Sequence, residues 1–324
     1  MRVGDYEIDI KDIRKRIEKK RILVQLPEGL KIRYREFYDL FLSLGAESVF
    51  IYGDPYYGAC DRYEGAGFDQ VIQIGHTPFP EIEEGVLQMH WIGVVGDEDL
   101  NAIATRLREE GIERVGLLTT AQHPNLLEKV GAYLRSKGFL TAVGRGKRCV
   151  YPGQLLGCEI GAAGNIRSEV DGFLFLGDGI FHALPISGKV IAFNPYTKEI
   201  ETVDVERHFR KRYAAIEWAS AQDDWLIVAS LKGGQMDLDD CEHLKAILEE
   251  RGKNVATIAM REVSSSNLAP FDGKAIAIVG CPRICEDFPG TLNPTETLVA
   301  CDLLEFEDYM ADPFRDWRDE EKRA

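Results

Sequence analysis

Residues 22–52 read ILVQLPEGLKIRYREFYDLFLSLGAESVFIY, and this run carries the logic of the fold. Residues 22–26 form a short apolar stretch of the buried-strand kind. Pro27, Glu28 and Gly29 interrupt it as a loop. Phe37, Leu40, Phe41 and Leu44 then recur at helical spacing, and Gly45 stands where a helix takes its left-handed C-terminal residue. Residues 48–52 follow as a second strand. Past Phe68 and Asp69, residues 71–74 form a third, ending on Gly75.

The same order recurs twice. Residues 114–118 read as a strand, 126–134 as a helix closed by Gly138, 140–143 as a strand, and Val170-Asp171-Gly172 leads into strand 173–176 and Gly177. Residues 225–229 open a third copy, with helix 239–250, Gly252, strand 255–258, then Phe271-Asp272-Gly273, strand 274–279 and Gly280. Strands that alternate with helices form parallel sheets covered by helices. The expected fold is therefore α/β, with three repeated parallel-sheet βα units around a pseudo-threefold and a central site. The units are residues 1–96, 97–207 and 208–324, the last with a C-terminal helix and a mobile tail after Asp302. No dinucleotide or phosphate-loop fingerprint is present: Gly144-Arg145-Gly146 lacks a third glycine at the required offset. Gly233-Gly234 reads either as a plain turn or as a place of close backbone approach.

Bulk properties narrow the function. The chain has 324 residues, a formal net charge of −15 and 45% hydrophobic residues. Dominant nucleic-acid binding is disfavoured, because phosphate backbones call for clustered Lys and Arg. Arg145, Lys147 and Arg148 are a local exception and read as a solvated loop. No apolar run approaches the roughly 18 residues needed to span a bilayer. Residues 1–20 are highly charged and lack a signal-peptide core. The expected location is the cytoplasm, where structural disulfides are rare.

Seven cysteines remain to be explained, at 60, 149, 158, 241, 281, 285 and 301. In α/β sheets, ligands bind at loops beyond the C-terminal strand ends. Cys60 and Cys158 sit in such loops after matching strands of the first two units. Cys281 directly follows the last strand of the third. Each has a glycine one or two residues before it. Cys149, Cys241 and Cys301 read as buried small hydrophobes. Cys281 and Cys285 make Cys-x-x-x-Cys, but Phe288 occupies the position of a third cysteine, so the usual radical-enzyme motif is absent. On their own, Cys60, Cys158 and Cys281 are either metal ligands or core residues, since no pair has metal-site spacing.

Leu26-Pro-Glu-Gly-Leu30, Tyr52-Gly-Asp54, Gly58-Ala-Cys60-Asp61, Gly153-Gln-Leu-Leu-Gly-Cys158 and Gly280-Cys-Pro-Arg283 together resemble the diphthamide-synthesis 3-amino-3-carboxypropyltransferase family in its archaeal single-subunit form. The resemblance implies a [4Fe–4S] cluster on Cys60, Cys158 and Cys281, with one iron left open. It implies cleavage of S-adenosylmethionine and transfer of its 3-amino-3-carboxypropyl group to a histidine carbon of translation elongation factor 2. It further implies a homodimer and an electron donor.

Further site residues are expectations at the strand-end loops. Arg283 suits a methionine carboxylate, or a structural ion pair. Asp178 and His182 follow a strand; Asp178 suits a ligand cation or a helix N-cap, and His182 a product proton. Gln235 suits a hydrogen bond to the ligand. Tyr57 and Tyr56 suit stacking on adenine or the sulfonium, or plain packing. His76 occupies the corresponding loop of the first unit. Two other readings compete: a quinolinate-synthase-like [4Fe–4S] dehydratase, and a non-catalytic metal-stabilised scaffold.

Overall fold

The computed structural model describes residues 1–10, 12–78 and 85–318. Its first strands are two short ones, β1 (Arg2–Val3) and β2 (Tyr6–Ile8). The first large sheet holds β3 (Arg21–Gln25), β4 (Ser48–Ile51), β5 (Gln70–Ile74) and β6 (Val86–Leu87). β7 (Met89–Trp91) follows. The second large sheet holds β8 (Arg114–Thr119), β9 (Leu140–Ala142), β10 (Gly172–Leu176), β11 (Val190–Phe193) and β12 (Ile200–Thr202). The third holds β13 (Asp224–Ser230), β14 (Asn254–Met260), β15 (Ala275–Val279) and β16 (Thr291–Leu292).

The repeat is visible in the strand order. The sheets run β4-β3-β5-β6, β9-β8-β10-β11-β12 and β14-β13-β15-β16. In each, the second strand of the unit lies at the edge, the first beside it, then the third and fourth. All pairings are parallel except β11 with β12. Parallel pairing follows from the crossover helices Tyr34–Ser43, Pro124–Ser136 and Leu238–Glu250. Gly45, Gly138 and Gly252 end those helices with φ of +100°, +90° and +74°, the left-handed geometry that a side chain penalises.

Apolar faces close the structure. Phe37 and Phe41 of the first helix pack with Ile22, Val24 and Ile72 of its sheet. A larger core joins the second and third sheets, with Phe175 and Leu118 on one side and Trp225, Ile227 and Ala277 on the other. Burying each such side chain stabilises by about 1.5–3 kcal/mol.

Three features differ from the sequence reading. A short helix, Glu28–Lys31, occupies the expected loop after β3. β1, β2 and β7 make a separate antiparallel sheet, with Tyr6 opposite Trp91. Strands of two or three residues carry too little periodicity to be read from sequence. The expected C-terminal helix is Phe306–Ala311; the tail from 319 lies outside the described residues.

The sheet ends hold the loops that matter. Gln25 and Gln73 are register partners on β3 and β5. Gln25 donates to the Asp61 carbonyl (3.0 Å) and accepts from the Tyr63 N–H (3.0 Å); Gln73 donates to the Ala59 carbonyl (3.2 Å). Two buried amides thus grip the loop around Cys60. In the second unit the Leu155 N–H donates to the Thr119 carbonyl (2.9 Å) at the end of β8. Gln154 reaches across to the Thr77 hydroxyl of the first unit (2.9 Å).

Candidate functional site

Cys60, Cys158 and Cys281 line one cavity of about 500 Å³. Each comes from a different sheet. The loops meet through direct contacts: the Gly234 N–H donates to the Cys60 carbonyl (3.0 Å). A Cβ on Gly234 would lie 2.7 Å from Cys60 Cα, so no larger residue fits this approach. Gly233-Gly234 is therefore more than a turn. Lys232 ties the same two units together, with Nζ 2.8 Å from Asp61 Oδ2 and 3.2 Å from a Glu262 carboxylate oxygen. Its ammonium also lies over the Tyr57 ring, 4.6 Å from the centroid.

The thiols are electrostatically frustrated without a cation. Burial raises the Cys60 pKa, and it pushes Cys158 up to about 11, with the Cys60 charge adding to the shift. Cys281 is raised furthest, by burial and then by Cys60 and Cys158. Three like-charged thiolates facing one space oppose each other's ionisation unless a positively charged centre sits between them. Among the described residues, no three His, Cys, Asp or Glu side chains are gathered tightly enough to hold a single metal ion. A lone zinc holds sulfur at ~2.3 Å. Thiols spread around a cavity suit a bulkier inorganic core.

A second, smaller cavity of about 60 Å³ shares Cys281 and Gln235 with the first and is lined also by Tyr57, Lys232, Arg261 and Arg283. Gln235 Nε2 donates to Cys60 Sγ at 3.4 Å. The Arg283 guanidinium stacks on Phe181, 3.8 Å from the ring centroid. One of its nitrogens pairs loosely with Asp287 (3.6 Å), while Nη1 is buried with no hydrogen-bond partner. His182 lies against Phe181 (3.7 Å between centroids) and its buried Nδ1 also lacks a partner. Burial and the Arg283 charge push its pKa down to about 3, so the ring is neutral. His76 is likewise neutral, pushed down to about 4 by burial, with Nδ1 2.9 Å from the Tyr56 hydroxyl.

The structure thus gathers Cys60, Cys158, Cys281, Tyr57, Gln235 and Arg283 around two adjoining cavities, with His182 beside Arg283. Asp178 stands apart. It is exposed at the end of β10, near Tyr6 and Tyr196, whose pKa values are raised chiefly by burial, with the Asp178 charge adding to the shift. No helix begins there, so the N-cap reading of Asp178 falls. Arg148 is a correction of the opposite kind. It lines the large cavity, and its hydrogen bond and charge favour the Cys158 thiolate; it is not simply a solvated loop residue. Lys232 and Asp61 were also passed over. Each is a charged residue next to a site motif, Asp61 after Cys60 and Lys232 before Gly233, and that adjacency was the available signal. Cys149, Cys241 and Cys301 are buried, as expected of core thiols, and so is Cys285.

The sequence profile of the diphthamide synthesis proteins matches residues 26–310. The chain belongs to the diphthamide synthesis family. It is 33% identical over 318 residues to the 2-(3-amino-3-carboxypropyl)histidine synthase of Pyrococcus horikoshii, covering 92% of each chain. Human 2-(3-amino-3-carboxypropyl)histidine synthase subunit 1 is 25% identical over 295 residues; the match covers 86% of this chain and 66% of that longer one. Among solved structures, the crystal structure of Pyrococcus horikoshii Dph2 with a 4Fe–4S cluster superposes with a TM-score of 0.81 at 32% identity, again over 92% of both chains. A second crystal structure of Pyrococcus horikoshii Dph2 gives 0.79. This agreement spans all three sheets of the diphthamide synthesis fold. Among the described residues, no helix is long and apolar enough to cross a membrane.

Proposed function

We propose that this chain transfers the 3-amino-3-carboxypropyl group of S-adenosylmethionine to a histidine imidazole carbon of translation elongation factor 2. The cofactor of this reading is a [4Fe–4S] cluster on Cys60, Cys158 and Cys281. The observation that carries it is three half-buried cysteines, one from each repeat, facing one cavity in a chain of this family. The quinolinate-synthase-like and scaffold readings have no comparable support.

A [4Fe–4S] cluster held by Cys60, Cys158 and Cys281 would supply the electron for reductive cleavage of the sulfonium. The chain's own residues bind and orient. Arg148 and the Gln235 amide stabilise negative charge on Cys158 and Cys60. The unpartnered Arg283 Nη1 offers a charge-assisted hydrogen bond to the methionine carboxylate. His182, neutral and with a free Nδ1, accepts from the ligand ammonium or takes the product proton. Tyr57, already facing the Lys232 ammonium, offers a ring face to a sulfonium or adenine. Asp178 would act at the outer approach rather than within the cavity. Units 1–96, 97–207 and 208–324 serve as domains that each lend one ligand. The active species is a cytoplasmic homodimer supplied by a separate electron donor.

Anaerobic, dithionite-reduced protein should release methylthioadenosine from S-adenosylmethionine. Cys60→Ala, Cys158→Ala and Cys281→Ala should each lose the visible iron–sulfur absorbance and that release. Full absorbance and release in all three variants would refute the ligand assignment.

A further inference from the structure

The large cavity has a wall that the three units do not supply from their strand-end loops. Besides Cys60, Cys158 and Cys281 it is lined by Pro313, Phe314, Arg315, Asp316, Trp317 and Arg318. This run of the chain follows the C-terminal helix Phe306–Ala311 and lies beyond residue 310, where the match to the family profile ends. Pro313 and Trp317 are buried and Phe314 is half-buried.

Both ends of the run are fastened. Arg315 reaches back to helix Phe306–Ala311, where its guanidinium donates to the Asp308 carbonyl. Trp317, 7% exposed, packs into the core that joins the second and third sheets. Its ring meets His243 edge-on, 5.4 Å between centroids. Arg318 Nη1 lies 3.3 Å from Asp240 and 3.8 Å from Asp237, and Nε donates to Asp316 (3.1 Å). Asp237 caps helix Leu238–Glu250 by accepting from the Asp240 N–H (2.9 Å), and both acids line the cavity. The run therefore ties the C-terminal helix to the crossover helix of the third unit, along the cavity that the three cysteines face.

The two cavities differ in what they offer. They meet at Cys281 and Gln235. The small one holds a group that awaits a ligand, the buried and unpartnered Arg283 Nη1. The large one is closed by two aromatic rings and a proline from the run 313–318, side chains suited to excluding water. The shell around an iron–sulfur centre sets its solvent access and its potential. We propose that residues 313–318 are a strap that walls the large cavity off from solvent and shields the iron–sulfur centre held there, with Trp317 as its anchor and Arg318 as its clasp. The shielded group rests on the cofactor reading of the proposed function; the strap's closure over the three thiols can be read without it.

Arg318→Glu tests the strap, because it sets a further carboxylate among Asp237, Asp240 and Asp316 at an exposed position and removes no core atoms. Anaerobic holoprotein is mixed with an iron chelator and the decay of its iron–sulfur absorbance is timed. Arg318→Glu should decay about fivefold faster than wild type, the scale of a surface ion pair turned repulsive. Arg318→Lys should decay at the wild-type rate. So should Arg35→Glu, which reverses a surface pair with Asp39 on the first crossover helix. The urea midpoint of Arg318→Glu should match wild type, which separates a loosened strap from a weakened fold. Metal-free protein gives a readout that needs no cluster: a polar maleimide should label Cys60, Cys158 and Cys281 faster in Arg318→Glu than in wild type. Equal decay in Arg318→Glu and wild type, or equal labelling where no cluster forms, would overturn the strap. A wild type that never holds an iron–sulfur centre would overturn the cofactor reading instead, and the labelling would still decide the strap.

Discussion

Gln235 donates its side-chain amide to Cys60 Sγ at 3.4 Å. A donor on a cluster sulfur stabilises the more negative, reduced state and raises its potential. Gln235→Leu removes the donor at similar volume. A hydrogen bond of about 0.5–1.5 kcal/mol corresponds to a potential lower by about 20–60 mV for one electron. An EPR-monitored redox titration reads this, and an unchanged potential would count against the contact. His123 acts on stability instead. It is 1% exposed, between the Thr120 hydroxyl (2.9 Å) and the Tyr196 hydroxyl (3.0 Å), and burial pushes its pKa down to about 4. An unfolded histidine titrates near 6.5. The unfolded chain therefore binds this proton first as pH falls, and stability is lost between pH 6.5 and 4. The loss from this group reaches about 3 kcal/mol at 1.36 kcal/mol per unit. Urea unfolding of His123→Gln should show a shallower decline than wild type across that window.

Among the elements, helix Val205–Ser220 does more than link the second and third units. Its Arg212 is 2% exposed and forms a fork with Glu296 (2.6 and 2.7 Å). The remaining donors bind the carbonyls of Cys285 (3.0 Å), Pro289 (3.2 Å) and Thr291 (2.6 Å). The Tyr309 hydroxyl donates to Glu296 from the C-terminal helix (2.7 Å). One guanidinium thus pins the loop that begins at Cys281. Arg212→Met leaves Glu296 buried and unpaired and should cost about 3–5 kcal/mol in chemical denaturation. Adding Glu296→Met should recover part of that loss; a double variant as unstable as the single would refute the pairing. None of this hub was legible in the sequence. Arg212 and Glu296 are far apart in the chain, and nothing in local periodicity marks a buried arginine. The elements themselves were legible because each unit repeats its apolar run, helix and glycine. The small β1-β2-β7 sheet was not, since its strands are too short to show a pattern.

For the whole molecule, the repeat explains how cysteines from three sheets reach one cavity. The cysteine positions were legible because each follows a strand beside a glycine. Their convergence was not, since it depends on Gly234 against Cys60 and on Lys232 with Asp61, contacts between separate units. Arg148 was misread because the acidic composition suggested that a basic trio only serves solvation; in the fold it faces Cys158. Asp178 was placed by its strand-end position, but its strand delivers it to the Tyr6 and Tyr196 side. The activity proposed for this site is group transfer to a protein histidine. It is tested most directly by incubating reduced protein, S-adenosylmethionine labelled in the methionine carboxylate, and elongation factor 2, then analysing the histidine-bearing peptide by mass spectrometry. Wild type should place one labelled 3-amino-3-carboxypropyl group on the imidazole, and Cys281→Ala none. An unmodified histidine alongside an intact, reduced iron–sulfur centre would contradict it.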